Sequence, residues 1–439
     1  MFTKILIANR GEIAVRVIRA CKEMGIDTVA VYSQADSDSL HVALADQAIC
    51  IGPAFATESY ICPEKIISAA IATKAQAIHP GYGFLAENAD FARLCEKHGI
   101  VFIGPSAEII SKMGDKDTAR TIMEKANVPI IKGSPILKDF KQALKTADKI
   151  GYPVLLKATA GGGGKGIRLV KEESEMENAF KTASNEALKG FGDGRMYMEK
   201  FLFPAKHIEV QLLGDNDGNV VCLGERECSI QKNNQKLIEE SPSPFVTKEV
   251  RAKLVDAATK AAKAVGYTNA GTIEFLMDKN SDFYFMEMNT RLQVEHPVSE
   301  LVSGHDIVKW QIRIAAGVPL NFTQDEIKIR GAAIECRINA TAVGKVDFLH
   351  IPSGPWVRFD TFLYQGYSIP PYYDSMLGKL IVYSSSREEA IRKMQSSLCE
   401  IVIEGAPNNI DSQIEIIRDK DFQNGDYYTD FMKRFEGDN

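Results

Sequence analysis

The stretch VLLKATAGGGGKGIRLV, Val154 to Val170, decides how the chain is read. Gly161, Gly163 and Gly166 satisfy the dinucleotide fingerprint G-x-G-x-x-G, and Gly164-Lys165 nearly satisfies the P-loop pattern. Each pattern needs its own surroundings. The fingerprint requires a helix straight after the glycines, so that its N-terminus meets a pyrophosphate. Here IRLV, residues 167–170, has the apolar, β-branched character of a strand. The P-loop requires Ser or Thr after its lysine and Gly at its start, where this chain has Gly166 and Thr159. What remains is a strand, a glycine loop and a return strand. Glycines let successive backbone N–H groups face phosphate oxygens without side-chain clashes. Lys157 closes the incoming strand and adds a positive charge. The plain alternative is a loose surface hairpin, but the run Gly161, Gly162, Gly163, Gly164 carries an entropic cost that favours a phosphate lid.

Upstream of the lid, the first hundred residues alternate in type. Short apolar runs at 4–8, 28–32, 48–51, 77–79 and 100–104 predict buried strands. Amphipathic stretches at Glu12–Met24, Pro63–Lys74 and Glu87–His98 predict the helices between them. This alternation predicts a parallel sheet, with ligands at the loops that leave the carboxyl ends of its strands. ANRGE (8–12) and HPGYGFLAEN (79–88) are two such loops, although either could be a plain turn. Around and beyond the lid, helices are expected at 116–126, 139–150 and up to about 189. MYMEKFL, KHIEVQLLGD, NVVCLGERECSI and QKLIEESPS are expected as strands of one antiparallel sheet. A helix over 248–265 and a hairpin turning at DKNS (278–281) follow, then strands mixed with a helix near 388–400.

That hairpin carries Glu274 on one arm and Glu287 on the other, with Asn289 on Glu287's face. Two carboxylates and an amide oxygen suit a hard cation such as Mg2+ or Mn2+. A solvated acidic strand face is the plain reading, and the neighbouring phosphate lid weighs against it. In NTRLQVEHPVSE (289–300), Arg291, Gln293 and Glu295 alternate, so an extended segment presents them together. An arginine and an amide suit a planar oxyanion, and the carboxylate could take its proton. His296 reads as structural. Arg337 lies inside the apolar ECRINA (335–340) and is placed to meet either a protein carboxylate or a substrate anion.

The composition excludes several classes. The 439 residues are 45% hydrophobic and 25% charged with net charge -6, which gives no footprint for nucleic acid. No apolar run reaches the ~20 residues of a membrane span, and MFTKILIANRGE turns polar too soon for a signal peptide. The 8 cysteines never form C-x-x-C, consistent with free thiols in a reducing cytoplasm.

Taken together, KILIANRGEIAVRVIRACKE, AIHPGYGFLAEN, FIGP, MGDK, KATAGGGGKGIR, MEKFL, EFLM, EMNTRLQVEHPVSE, ECRINA and PPYYDSMLGKL run in the order found in biotin carboxylases, a group of ATP-grasp enzymes. The chain resembles that family from residue 3 to about 381. The resemblance implies an α/β and α+β protein: an N-terminal Rossmann-like parallel-sheet domain (1–113), an ATP-grasp domain (114–329, lid about 131–203) and a C-terminal mixed α/β domain (330–439). It implies phosphorylation of bicarbonate by MgATP to carboxyphosphate, then carboxylation of N1′ of biotin. Bicarbonate is a poor electrophile, and phosphorylation supplies its leaving group.

Position by position, the resemblance implies that Lys116 and Lys157 hold ATP phosphates under a lid of Gly161–Gly166. Glu199, Lys200 and Leu202 in the EKFL hinge, with Leu276, would meet adenine, and His207 and Gln231 the ribose. Glu274, Glu287 and Asn289 would bind two metal ions. Lys236, Arg291, Gln293 and the Val294 backbone would position bicarbonate, with Glu295 as its base. Arg337 would stabilise the biotin anion, and Tyr82 and Gly83 would line the ureido pocket. The resemblance also implies a homodimer, with Arg16, Arg19 and Glu23 where family contacts fall, though these could be a solvated face. No AMKM-like biotinyl-lysine motif occurs, so biotin is expected on a separate carrier protein, beside a carboxyltransferase subunit, as in acetyl-CoA carboxylase. Two departures stand out: Asn234 where the family usually carries His, and a shortened passage between ECRINA and PPYYDS. They sustain an alternative, a degenerate nucleotide-binding or assembly subunit, which bicarbonate-dependent ATP turnover separates from the enzyme.

Overall fold

Gly166 turns the chain with φ +73, and from it Ile167–Val170 runs back antiparallel to Val154–Ala158, pairing Val154 with Val170 and Lys157 with Ile167. The computed structural model in which this hairpin is seen describes residues 1–159, 166–233 and 235–435. Ile167–Val170 is therefore the return strand read from the sequence. The lid residues Gly161, Gly162, Gly163 and Gly164, and likewise Asn234, lie outside the described residues.

The chain divides into two compact units. The first comprises Met1–Asn127, Lys206–Phe275 and Glu287–Asn439, and the second Val128–Ala205 and Leu276–Met286. In the second unit, Met196–Lys200 pairs antiparallel with Val154–Ala158 to complete a three-stranded sheet. MYMEKFL thus does not join the strands that follow it, as the sequence reading expected. Instead its partner is the lid strand, whose alternating buried residues Val154, Leu156 and Ala158 share a core with Met196 and Met198. The helices Phe140–Ile150 and Met176–Phe191 add Ala143, Ala147, Ala183 and Ala187 to that core.

The first unit opens with the predicted parallel sheet. Its strands lie in the order Gln47–Gly52, Asp27–Ser33, Lys4–Ile7, Ala77–His79, Val101–Phe102. Order reverses about Lys4–Ile7, where the two glycine-containing loops leave neighbouring strands. A larger sheet of eight strands runs Phe283–Asn289, Asn269–Asp278, Ala205–Gly214, Val220–Lys232, Gln235–Ser241, Ala332–Asn339, Met376–Ser384, Val357–Thr361. Ile238 pairs with Cys336, so strands before and after residue 330 form one continuous sheet. Every residue of Ala205–Gly214 is buried, including His207, Glu209 and Gln211 on one face. A polar row inside a buried strand is unfavourable unless each group finds a partner. Those partners make the site.

Candidate active site

Glu295 sits at the centre. It is 2% exposed; its Oε1 accepts from Lys236 Nζ at 2.5 Å and its Oε2 from Arg337 Nη2 at 3.0 Å. Burial pushes the carboxyl up, but Lys236, Arg337 and Arg226 outweigh it and hold Glu295 well below the usual carboxylate range. Lys236 also reaches Glu209 at 2.6 Å and Glu274 at 3.3 Å. Arg337 donates through Nε to Glu239 at 2.7 Å, so it faces protein carboxylates on two sides.

The segment 290–295, expected to be extended, belongs to no strand. It is irregular and turns at Val294–Glu295 into the helix His296–Ser303, which begins with Pro297 in its first turn. The turn still gathers the three side chains. Gln293 donates to Glu274 Oε1 at 2.7 Å and accepts from Arg226 at 2.6 Å. Arg291 donates to Glu87 at 2.7 Å and to Asn289 at 3.0 Å. His296 is buried with its Nδ1 2.8 Å from the Gln293 carbonyl, in keeping with a structural role.

Glu274 accepts from Asn289 at 2.7 Å and lies 2.9 Å from His207 Nε2. Burial would raise it, yet Lys236 and His207 prevail and keep it ionised. Gln231 Nε2 is 2.7 Å from the other ring nitrogen of His207, which joins the two residues read together from the sequence. Glu287 has a solvent-exposed tip; the protein packed around it, and then the charge of Glu274, raise its carboxyl, while Lys116 at the start of the helix Lys116–Lys125 pulls it down. Two carboxylates that repel each other beside an amide fit a divalent cation, which removes the repulsion. Among the described residues, Glu274 also groups with His207 and Glu209, ligand atoms within 4.8 Å, and Glu287 does not join that group.

Tyr82 and Gly83 line a cavity of about 370 Å3 with Glu12, Phe362, Tyr373 and Met376. Phe362 comes from the shortened passage, which therefore borders this cavity. The second unit carries Lys157, Glu199, Lys200, Leu202 and Leu276. There Lys157 pairs with Glu199, and Lys200 Nζ donates to the carbonyls of Gly151 and Tyr152, both at 2.8 Å. Arg16 is buried against Glu300 at 2.9 Å and Asp306 at 2.8 Å, and Glu23 meets Lys309 at 2.5 Å, while Arg19 is exposed.

Sequence reasoning missed Glu87, Glu209, Arg226 and Glu239. Glu209 was legible: it alternates with His207 and Gln211 in a strand whose intervening residues Ile208, Val210 and Leu212 are apolar. Arg226 was not, because its partners Glu209, Gln211, Thr272, Gln293 and Ser299 come from distant segments.

Comparison with known proteins gives the family and the fold. Residues 1–110 match the family described as biotin carboxylase, N-terminal domain, and 335–434 the biotin carboxylase C-terminal domain. Residues 115–323 match the carbamoyl-phosphate synthase L chain, ATP binding domain. The chain is 52% identical to biotin carboxylase 1 of Bacillus subtilis over 99% of both chains. A crystal structure of a Campylobacter jejuni biotin carboxylase complex with β,γ-ATP superposes with TM-score 0.95 at 50% identity, covering 99% of each chain. The biotin carboxylase domain dimer of Hydrogenobacter thermophilus 2-oxoglutarate carboxylase, with MgADP, ADP and bicarbonate, gives 0.93 at 49% identity, covering 99% of this chain and 98% of that one.

Proposed function

The chain belongs to the biotin carboxylase family, an ATP-grasp enzyme that carboxylates biotin with ATP and bicarbonate through carboxyphosphate, and we propose which of its residues do so. The observation that carries the assignment is the Glu295 carboxylate held between Lys236 and Arg337. Glu295 is the base that deprotonates bicarbonate, which Lys236, Arg291, Gln293 and the Val294 backbone position. A carboxylate with both oxygens in ion pairs is a weak base. When Lys236 turns to the substrate anion, Glu295 loses part of that stabilisation and its basicity rises toward what the step needs. Arg337 is then aligned to stabilise the oxygen of the biotin anion, which would otherwise form too rarely to attack.

The fold binds ATP with Mg2+. Glu274, Glu287 and Asn289 are the residues that would hold two Mg2+ or Mn2+ ions, which would supply charge neutralisation to the phosphates. Lys116, Lys157 and the Gly161–Gly166 lid take the phosphates, Glu199, Lys200, Leu202 and Leu276 the adenine, and His207 and Gln231 the ribose. Tyr82 and Gly83 meet the ureido ring. The domain assignment is 1–113, 114–329 and 330–439. Relatives of this kind are subunits of multi-subunit carboxylases, and we assign a biotin carboxyl carrier protein and a carboxyltransferase as partners, with a homodimer as the assembly. No described helix is long and apolar enough to cross a membrane, and a cytoplasmic location fits the free cysteines.

The test is ADP release from MgATP with and without bicarbonate and biotin, for wild type and Glu295→Gln. Turnover that needs both substrates and falls by about 10²–10⁴ in the variant is the expected result. A variant that keeps bicarbonate-dependent turnover removes Glu295 from the role.

A further inference from the structure

Lys379 has no solvent exposure, and a buried ammonium is unfavourable unless it is paired. Its Nζ donates to the carbonyl oxygen of Val294 and lies 3.2 Å from Oε1 of Glu12. The Tyr82 hydroxyl donates to the same Glu12 oxygen. In the sheet, Lys379 is directly opposite Arg337 on one side and Asp360 on the other. A lysine buried only to neutralise Glu12 has no need of Val294. That carbonyl belongs to the peptide leading into Glu295, whose backbone (φ -81, ψ 11) begins the helix His296–Ser303. The turn before it belongs to no strand, so no ladder of hydrogen bonds holds its peptide planes. A charge-assisted bond, about twice as strong as a neutral one, supplies that constraint.

We propose that Lys379 is a positioning residue for bicarbonate activation. Braced by Glu12, its ammonium clamps the Val294 carbonyl and sets the turn that presents Gln293, the Val294 N–H and the Glu295 carboxylate. The inference rests on the reading of this turn as the bicarbonate site. Lys379 touches no reacting atom and acts through Val294. Because Glu12 lies in the first turn of the helix Gly11–Glu23 and Tyr82 in the HPGYG loop, one carboxylate oxygen ties the bicarbonate turn to the wall of the neighbouring cavity.

Steady-state kinetics of Lys379→Met test this, since methionine keeps most of the stem and loses the donor. The KM for bicarbonate rises about tenfold or more, while the KM for ATP stays within about twofold. A variant that melts lower but keeps the wild-type KM for bicarbonate has lost only packing, and overturns the proposal. Should Lys379→Met fail to fold, Glu12→Gln decides: weakening the brace raises the bicarbonate KM several-fold, and an unchanged value overturns the clamp. Glu295→Gln run alongside separates the two readings. Retained turnover there defeats the base, whereas an unchanged bicarbonate KM in the Lys379 and Glu12 variants defeats the clamp.

Discussion

Arg226 is completely buried and donates to Glu209 at 2.5 Å and Gln293 at 2.6 Å, so it both neutralises one acid and aims one amide. Removing one partner of a buried pair leaves the other uncompensated. Arg226→Met is expected to lose about 3–5 kcal/mol in denaturant unfolding, and a cycle with Glu209→Gln should recover part of that loss. Additive effects of the two changes would mean the pair is not coupled. Glu239 behaves differently. Burial dominates and raises its carboxyl to about 7, with Arg337 opposing the shift. A carboxyl raised above its ordinary 4.5 stabilises the fold below that value, and the stabilisation is lost as pH rises through about 7. Glu239→Gln should therefore flatten the fall in stability across that window, and an unchanged slope would assign the fall to another group.

At the scale of elements, the helix Gly11–Glu23, the helix His296–Ser303 and the strand Val357–Thr361 meet at Glu300. Its carboxylate accepts from Arg16 at 2.9 Å, Arg358 at 2.8 Å and the Ile307 amide at 2.9 Å. Burial opposes ionisation here too, but Arg16, His296 and Arg358 hold the carboxyl below its ordinary 4.5. The sign is opposite to that of Glu239: this stabilisation is present above 4.5 and lost as pH falls below it. In acid titration monitored by circular dichroism, Glu300→Gln should be the weaker protein at neutral pH, with the gap to wild type closing in acid. In the lid hairpin, a Cβ at Gly166 would meet Ala158 Cβ at 2.9 Å on a left-handed backbone. Gly166→Ala should destabilise the hairpin by about 1–3 kcal/mol, seen as faster exchange of the Ala158 amide that donates to Gly166 at 2.9 Å. The parallel strands of the first hundred residues and the three longer helices between them were legible because alternating apolar runs and amphipathic stretches are local signals; the short helix Leu40–Leu44 was not read. The short helix Ala107–Gly114 was not read from the sequence, although Ser106 caps it. The partner of Met196–Lys200 could not be read, since a strand's own sequence does not name its neighbour. The same limit hid Glu87, which comes from a loop about two hundred residues away from the Arg291 it pairs with.

At the scale of the molecule, the second unit is an insertion made of two separate segments, and it has a core of its own. Hydrogen exchange should resolve it as a cooperative set distinct from the first unit, with breaks near residues 127, 205, 275 and 286. A single exchange class throughout would show that the two cores unfold as one. The chain as a whole carries a net charge of -6, so its long-range field does not gather anions, and their capture has to be local. Locally, the cations that an incoming anion needs are already taken, Lys236 by Glu295 and Arg291 by Glu87. The resting protein thus carries its own competitor, tethered at an effective concentration of at least about the millimolar range. Chloride or sulfate must displace the Glu295 carboxylate and leave it charged among other acids. On the role proposed for Glu295, bicarbonate hands it a proton and so discharges the competitor in the act of reacting. The arrangement selects an anion less for its shape than for having a proton to give.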